Sequence, residues 1–380
     1  MNSSASTGSL AARTVNGDEP RVVALDWMRG IAMVLMVVDH ASLFFNAGRV
    51  AQDSAALYTA GTPLPLGQLL LRWVTHLCAP TFLFLAGAGL ALGTAKRKRA
   101  GVAEAAIRRD LLMRGALIAG LDLIVMSAFA GHHIFQVLYA IGLSMILMAF
   151  LRLLRDRALL ALALSWFALG EGITGLVWDP PTNASIAAAL TVARHAEGTV
   201  WIFYPVVPWL AMMMLGWVFG RRLDARGNRA GMRSAALWGL CSLAVFAVVR
   251  GLRGYGNMWL QRQDGSLQQW LHVSKYPPSL TYSTLELGLM GLCLAGLMAL
   301  QPQLQLKRNG PLLVFGQTAL FFYLAHFGLL NLASAALGLA KGGAEKALAA
   351  SAVVLLLLYP VCRWFRSYKR ARPSGWVRFI

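Results

Sequence analysis

The sequence predicts an all-α fold: a polytopic integral membrane helical bundle of about ten transmembrane helices. Hydrophobic residues make up 57% of the 380 positions and charged residues only 13%, whereas soluble domains carry roughly 25% charged residues. Apolar runs recur along the whole chain, and each is long enough to cross about 30 Å of hydrocarbon as a helix. The apolar residues are continuous within each run and do not alternate with polar ones, which excludes a transmembrane barrel. Much of the surface is therefore expected to face lipid.

The apolar runs divide the chain into helices joined by short polar segments. They predict helices at 24–46, 67–95, 107–130, 133–152, 158–178, 200–221, 232–251, 279–300, 311–336 and 344–365. Residues 1–20 are polar and lack the apolar stretch of a signal peptide, so they predict a disordered cytoplasmic tail. Residues 21–366 are predicted to form the transmembrane domain, and residues 367–380 are predicted to form a basic cytoplasmic tail.

Basic residues cluster after every even-numbered helix of this prediction. The clusters begin at Lys96, Arg152, Arg221, Lys307 and Arg363. Positively charged loops stay on the cytoplasmic side, so both termini are predicted to be cytoplasmic. This topology explains the formal net charge of +19 better than nucleic-acid binding does. The lipid bilayer is the expected partner, and no nucleic-acid partner is expected.

The first predicted helix carries ionisable residues at membrane depth, where they are costly and mark functional sites. Arg29 and His40 are eleven residues apart, which puts both side chains on one helix face. Met33 and Met36 share that face, and about 16 Å of helix axis separates its two ends. Asp39 is expected to point to a different face.

Two more histidines are predicted at the depth of His40. His76 lies in the second helix, four residues before Pro80. The proline has no N–H for the His76 carbonyl and should kink the helix beside it. His326 lies with Tyr323 in the ninth helix. A common depth does not establish a common face, and an isolated intramembrane histidine is as readily a helix-packing residue.

The remaining polar residues give weaker signals. Asp122 lies in the third apolar run, where it either pairs structurally or forms a polar wall of a substrate site. The four cysteines show no metal-binding spacing, and no helix carries two histidines four residues apart. No metal is therefore predicted.

Five segments follow one another in the order found in a known family: ALDWMRGIAMVLMVVDH, THLCAPTFLFLAG, YPVVPWLAMMMLGWVFGR, KYPPSLTY and FGQTALFFYLAH. Over about residues 21–365 the chain resembles the bacterial proteins related to heparan-alpha-glucosaminide N-acetyltransferase, the DUF1624 group. The pattern of Arg, ten residues and His in the first helix also resembles the wider acyltransferase-3 proteins. The last segment departs from the family pattern, because it has Gln317-Thr318 where many relatives carry a basic residue.

The resemblance implies a transmembrane acyltransferase of the bacterial inner membrane. It implies transfer of an acyl group, acetyl above all, from cytoplasmic acyl-CoA (acetyl-CoA) to an extracytoplasmic sugar or glycan. Arg29 would bind the CoA phosphates. His40 would act as general base or as acyl-carrying nucleophile, with its tautomer fixed by Asp39 or a backbone carbonyl. The other candidate catalytic residues are His76 and His326, and the candidate substrate-binding residues are Asp39, Tyr323 and Asp122.

Two other classes of protein fit part of the pattern. A transporter or flippase of a small or lipid-linked substrate would use the same polar cavity without acyl transfer, although such proteins often show inverted repeats, which this sequence lacks. A non-enzymatic scaffold would have no need of histidines at one depth. The acceptor, the acyl chain, the choice of base and the oligomeric state, including a homo-oligomer, stay open at this point.

Overall fold

The structure, a computed structural model, describes residues 22–301, 303, 309–338 and 341–372. The predicted tail at 1–20, the basic pair Lys307 and Arg308, and the end of the second tail at 373–380 lie outside these ranges. The helices, numbered in chain order, are α1 (Val23–Phe45), α2 (Leu66–His76), α3 (Cys78–Arg99), α4 (Glu104–Leu121), α5 (Ser127–Ala130), α6 (Val137–Leu151), α7 (Asp156–Gly175), α8 (Ile186–Thr191), α9 (Val206–Leu252), α10 (Leu267–Leu271), α11 (Leu280–Ala299), α12 (Pro311–Gln317), α13 (Ala319–Leu337) and α14 (Ala344–Ala371). A π-helical segment, Asp122–Met126, joins α4 to α5. The predicted all-α membrane bundle is confirmed.

Eight helices of the described ranges are long and apolar enough to cross a membrane. Two of these spans combine elements, because α2 continues into α3 and α4 continues through the π-helical segment into α5. Helix α6 is apolar but only 15 residues long. The prediction of about ten crossings therefore stays a prediction.

Of the predicted helix 200–221, residues 206–221 lie in α9 and residues 200–202 form a strand instead; the predicted helix 232–251 lies in the same α9. The chain reverses direction at Gly227, whose φ of 74° lies in the left-handed region that favours glycine. The ring of Phe84 lies 5.4 Å from that of Phe219, before the glycine, and 5.2 Å from that of Trp238, after it. A straight helix would hold these two residues about 28 Å apart. The two legs of α9 therefore run antiparallel past α3.

Several other predicted helices are interrupted. The predicted helix 67–95 is broken at Leu77, and the predicted helix 311–336 is broken at Thr318. Residues predicted to begin the helix 133–152 form a strand instead. This strand, β1 (His133–Phe135), pairs in parallel with β3 (Val200–Ile202), which pairs antiparallel with β2 (His195–Glu197). A small three-stranded sheet thus precedes α6 and α9.

Helices α1 and α12 touch through glycines. A Cβ atom on Gly30 would lie 1.9 Å from the carbonyl oxygen of Leu312, and one on Gly316 would lie 1.9 Å from that of Asp26. Small residues of this kind let helix backbones approach closely in a membrane. The contact fixes the first half of α1, including Arg29, against α12.

A buried arginine organises the chain between α9 and α11. The guanidinium of Arg250 is fully buried and donates to the carbonyl oxygens of Leu260, Gln269 and His272 at 2.8, 2.5 and 2.5 Å. The ring of His272 donates through Nε2 to the carbonyl oxygen of Gln52 at 2.7 Å. Because these bonds tie the 253–279 segment to the 46–65 segment, both loops are held over the His40 end of α1.

Candidate active site

The face of α1 that carries Arg29 opens into a cavity of about 260 Å³, here called the basic cavity. Its wall includes three basic side chains from three helices, namely Arg29 of α1, Arg114 of α4 and Lys369 of α14. Most of the other lining residues are apolar, among them Met33. The basic cavity thus combines cationic groups with a mainly apolar lining.

The far end of the same face of α1 opens into a second, smaller cavity of about 40 Å³, here called the histidine cavity. Met36, Asp39 and His40 line it from α1, and Cys78 and Lys275 line it from α3 and the loop before α11. Cavities of this size hold a few non-hydrogen atoms. The histidine cavity can therefore surround a reacting group but not a whole sugar.

Three side chains line both cavities and so form the wall between them. They are Phe82 of α3, Val137 of α6 and Tyr323 of α13. Tyr323 is buried, and its hydroxyl makes no hydrogen bond within the described part of the chain. The predicted stripe from Arg29 to His40 therefore runs along two neighbouring cavities that these three residues divide.

His40 and His326 form a direct pair. Nδ1 of His40 lies 2.8 Å from Nε2 of His326, and the two rings are nearly parallel with centroids 5.0 Å apart. Nδ1 of His326 lies 2.8 Å from the carbonyl oxygen of Phe322. The sequence placed the two histidines at one depth, and the structure brings them into contact.

The hydrogen bonds of the pair assign its tautomers when both rings are neutral. A carbonyl oxygen only accepts, so Nδ1 of His326 carries a hydrogen and its Nε2 is left as an acceptor. His40 must then donate from Nδ1, which leaves Nε2 of His40 with a free lone pair. A neutral imidazole with its lone pair free can accept a proton or attack a carbonyl carbon. The sequence offered Asp39 or a backbone carbonyl as the partner of His40, and the structure instead places His326, which contacts the Phe322 carbonyl, at Nδ1 of His40.

Asp39 faces a group of charged residues instead. Its Oδ1 atom accepts from Arg49 at 3.0 Å, from Arg72 at 2.5 Å and from Thr75 at 3.2 Å. Arg72 also donates through Nε to Asp53 at 2.7 Å. Asp39, Asp53, Arg49 and Arg72 are called the ion cluster below. Asp39 still lines the histidine cavity, but its carboxylate is held by cations.

Asp53 is the most deeply buried acid of the ion cluster, with no exposed surface. Burial alone would raise the pKa of Asp53, but the positive charge of Arg72 and the contact with His76 outweigh it. The pKa of Asp53 therefore lies well below its ordinary value. The carboxylate stays ionised and gives Arg72 a fixed partner.

His76 belongs to the edge of the ion cluster. Its Nε2 atom lies 3.4 Å from Oδ2 of Asp53, and it is not among the residues that line either cavity. The predicted effect of Pro80 is confirmed, because the helix breaks at Leu77 and the His76 carbonyl accepts a hydrogen bond from the hydroxyl of Tyr282 at 3.1 Å. Two of the three predicted histidines therefore meet, and the third stands apart from them.

Asp122 anchors the start of α6. Its Oδ2 atom accepts from the backbone N–H groups of Gln136 and Tyr139 at 2.7 and 2.8 Å, as a side-chain cap does. It does not line either cavity. Since Gln136 and Val137 do line the histidine cavity, Asp122 acts on that cavity by placing the start of α6.

Arg29 is held at the wall of the basic cavity. Its Nη1 atom donates to Asp26 at 2.9 Å and to the carbonyl oxygen of Gly316 at 3.4 Å, and 23% of its side chain is exposed. Gln317 lines the same cavity and accepts at 3.4 Å from both Arg366 and Arg370 of α14. The side-chain oxygen of Gln317 therefore gathers positive charge from α14 at the wall of the basic cavity.

Sequence reasoning missed four charged residues near His40. Arg72 was visible as an isolated charge inside an apolar run, and Lys275 begins the segment KYPPSLTY. Arg49 and Asp53 lie in a loop with no local signal, and only the fold brings them to α2. For metals, the described ranges contain no group of three or more His, Cys, Asp or Glu residues that could hold an ion.

Comparison with known proteins identifies the family. The family model described as heparan-alpha-glucosaminide N-acetyltransferase, catalytic, matches residues 21–250. The chain belongs to this family. It is therefore a membrane acyltransferase, as the motif resemblance predicted. No curated protein matches the chain.

Two residues beside His40 lie beyond the end of the family match. His326 and Lys275 lie beyond residue 250, yet both reach the end of α1 where His40 lies. The assignment to the DUF1624 group and a bacterial source stay predictions. So do the proposed roles of the individual site residues.

Proposed function

We propose that the protein moves an acyl group, acetyl above all, from cytoplasmic acyl-CoA to an amine or hydroxyl of a sugar on the other side of the membrane. The observation that carries the proposal is the His40–His326 pair, whose free Nε2 lone pair lies one wall of side chains away from a cavity rich in basic groups. The family description, which names an acetyl transfer to a glucosaminide, supports the same reaction class.

The basic cavity is the proposed donor site. Arg29, Arg114 and Lys369 converge on it, and Arg114 also lines a neighbouring cavity of about 340 Å³ together with Arg97. Guanidinium groups suit phosphate oxygens because their N–H groups form a planar fork. The pyrophosphate and 3′-phosphate of CoA would lie at this end. Positively charged loops favour the cytoplasm, which supports a cytoplasmic opening.

The pantetheine arm is the proposed link between the two cavities. It is long and narrow, and the axis of α1 from Arg29 to His40 spans about 16 Å. The arm would lie along Met33 and pass the wall beside Tyr323, so that the thioester reaches the histidine cavity. Only the acyl group then has to enter the small space beside His40.

His40 is the proposed general base. The acceptor N–H or O–H would give its proton to Nε2 of His40 while the nitrogen or oxygen attacks the thioester carbonyl carbon. Collapse of the adduct breaks the carbon–sulfur bond, and the CoA thiolate takes the proton from His40. The products are the acylated acceptor and free CoA. His326 keeps Nε2 of His40 available throughout by accepting the hydrogen of Nδ1.

The test is acetyl transfer from radiolabelled acetyl-CoA to glucosamine or a chitosan oligomer by the protein purified in detergent. His40→Ala should lower the rate by about 10²–10⁴-fold, as expected when a general base is removed. His133→Ala is the control, because His133 is exposed and lies in β1. Full activity of His40→Ala would refute the role of His40. No acyl-CoA turnover by the parent would favour the transporter alternative, and flux into proteoliposomes would then be measured.

A further inference from the structure

We propose that Lys275 stabilises the negative charge that develops on the thioester oxygen, and so completes the site beside His40. The proposal rests on the acyl transfer proposed above. It goes beyond that function because it assigns a catalytic role to a residue of the loop before α11, outside the matched family region. Lys275 is buried, makes no hydrogen bond or ion pair through its side chain within the described residues, and lines a small cavity.

Lys275 is a buried lysine. Only 3% of its surface is exposed, and its side chain lines the histidine cavity together with His40. Lysines are almost never this deeply buried unless they are paired. Within the described ranges, however, the ammonium of Lys275 makes no hydrogen bond or ion pair, and its nearest aromatic contact is the ring of Tyr276, whose centroid lies 5.3 Å from Nζ. The cavity is therefore the side on which a partner can be added.

The acidic residues near Lys275 either accept hydrogen bonds from other cations or form no ion pair with Lys275 within the described residues. Asp39 is within electrostatic range of Lys275, but its carboxylate accepts from Arg49 and Arg72. Glu286 of α11 is buried within electrostatic range as well, and no ion pair joins it to Lys275 in the part of the chain that the structure describes. Lys275 thus adds a positive charge beyond those that Asp39 and Asp53 balance in the ion cluster.

The backbone holds Lys275 in place without using its side chain. The N–H of Lys275 donates to the carbonyl oxygen of Asp53 at 2.8 Å, and Ser279 donates its N–H to the carbonyl oxygen of Ser274 at 2.9 Å. The bonds of Arg250 described above fix the preceding segment. A cation that is positioned before the reaction needs no rearrangement when charge develops, which is the condition for strong electrostatic catalysis.

The size of the histidine cavity limits which part of the substrates can lie beside the Lys275 ammonium. About 40 Å³ admits a carbonyl and the attacking atom, not the body of a sugar. When the acceptor attacks, the π electrons of the carbonyl move to its oxygen, and the acceptor proton moves to Nε2 of His40. The new oxyanion then lies in the same small space as the Lys275 ammonium. Electrons return when the carbon–sulfur bond breaks, and the CoA thiolate takes the proton from His40.

A binding experiment tests the charge preference without turnover. Carboxymethyl-CoA places a carboxylate where the acyl group would lie, and ethyl-CoA is its neutral counterpart. Their affinities for the parent, Lys275→Met and Lys275→Arg are measured by calorimetry in detergent. Lys341→Met is the control, because Lys341 is exposed and lies next to the Gly342 bridge to the end of α1.

The ratio of the two affinities gives the outcome. In Lys275→Met the preference for carboxymethyl-CoA should fall by about tenfold or more, the value of a charged hydrogen bond. Lys275→Arg and Lys341→Met should keep it. In the kinetic assay, kcat of Lys275→Met should fall by about 10²–10³-fold with little change in KM for acetyl-CoA. If both thioethers bind and the preference survives in Lys275→Met, the Lys275 proposal is wrong while acyl transfer stands. If neither thioether binds the parent, the donor proposal fails and the Lys275 proposal falls with it.

Discussion

Replacing His326 by phenylalanine separates the orienting residue from the base. The ring of His326 is buried and parallel to that of His40, so a phenyl group of similar size can occupy its place. The variant removes the acceptor that lies 2.8 Å from Nδ1 of His40. Without that acceptor, the hydrogen of His40 can reside on Nε2, which blocks proton transfer from the substrate.

The size of the effect follows from the usual strength of such a hydrogen bond. A hydrogen bond of this kind contributes about 1–1.5 kcal/mol, and 1.4 kcal/mol corresponds to about a tenfold change in an equilibrium. We therefore expect His326→Phe to lower kcat by about tenfold or somewhat more, since ring orientation is also lost. That is less than the loss of about 10²–10⁴-fold expected for His40→Ala. KM for acetyl-CoA should not change, because the basic cavity is untouched.

The assay is steady-state acetyl transfer with both substrates varied, and pH is the second variable. Activity should decline as pH falls, because a protonated His40 has no lone pair to accept a proton. His326→Gln, whose amide oxygen can accept, should recover part of the rate. If His326→Phe loses as much activity as His40→Ala, the base is His326. If it stays within twofold of the parent, the hydrogen bond does not set the tautomer.

Four other perturbations test the remaining features. Arg29→Ala should weaken acetyl-CoA binding and Arg29→Lys should recover part of it, since a point charge replaces a fork; unchanged affinity by calorimetry would remove Arg29 from the donor site. Gly316→Ala should cost about 3 kcal/mol of stability, because its Cβ meets backbone, and an unchanged melting temperature would contradict the close packing. A cysteine at Gly101 should resist labelling from outside intact cells, and labelling there would reverse the topology. The pKa of Asp53 is lower in the folded protein than in the unfolded chain, where it is about 3.9. Asp53 therefore stabilises the fold above a pH of about 3.9, and this stabilisation is lost as pH falls further. Asp53→Asn should reduce this loss of stability at acid pH.

The sequence predicted most of the helices and one face of the site. The length of an apolar run and the position of a basic loop are properties of short segments. The sequence could therefore predict the helices and the shared face of Arg29 and His40. The effect of Pro80 could be predicted too, since it depends on one missing N–H group. The reversal at Gly227 was predicted only as a short loop, and the structure compresses that loop into one residue of α9.

Contacts between distant segments could not be predicted from the sequence. His40 and His326 are separated by 286 positions, and depth alone could not show that their rings touch. Asp39 was expected to point to a different face from His40, since neighbours in a helix point about 100° apart. The sequence could not show that Arg49 and Arg72 are the residues that Asp39 meets there. Lys275 lay in a segment noted for its resemblance, but its burial depends on loops that Arg250 holds in place.

The wall formed by Phe82, Val137 and Tyr323 has an electrical consequence. Across a cell membrane, each elementary charge gains about 2.3 kcal/mol per 100 mV. A continuous column of water from Arg29 to His40 would let small ions discharge that voltage. Two aromatic rings and a branched aliphatic side chain interrupt the column. An uncharged acyl group carried on a thin arm can pass such an obstacle, whereas a hydrated ion would have to shed its water. The proposed acyl transfer is therefore expected to move no net charge across the membrane, and the voltage would be kept while the group crosses.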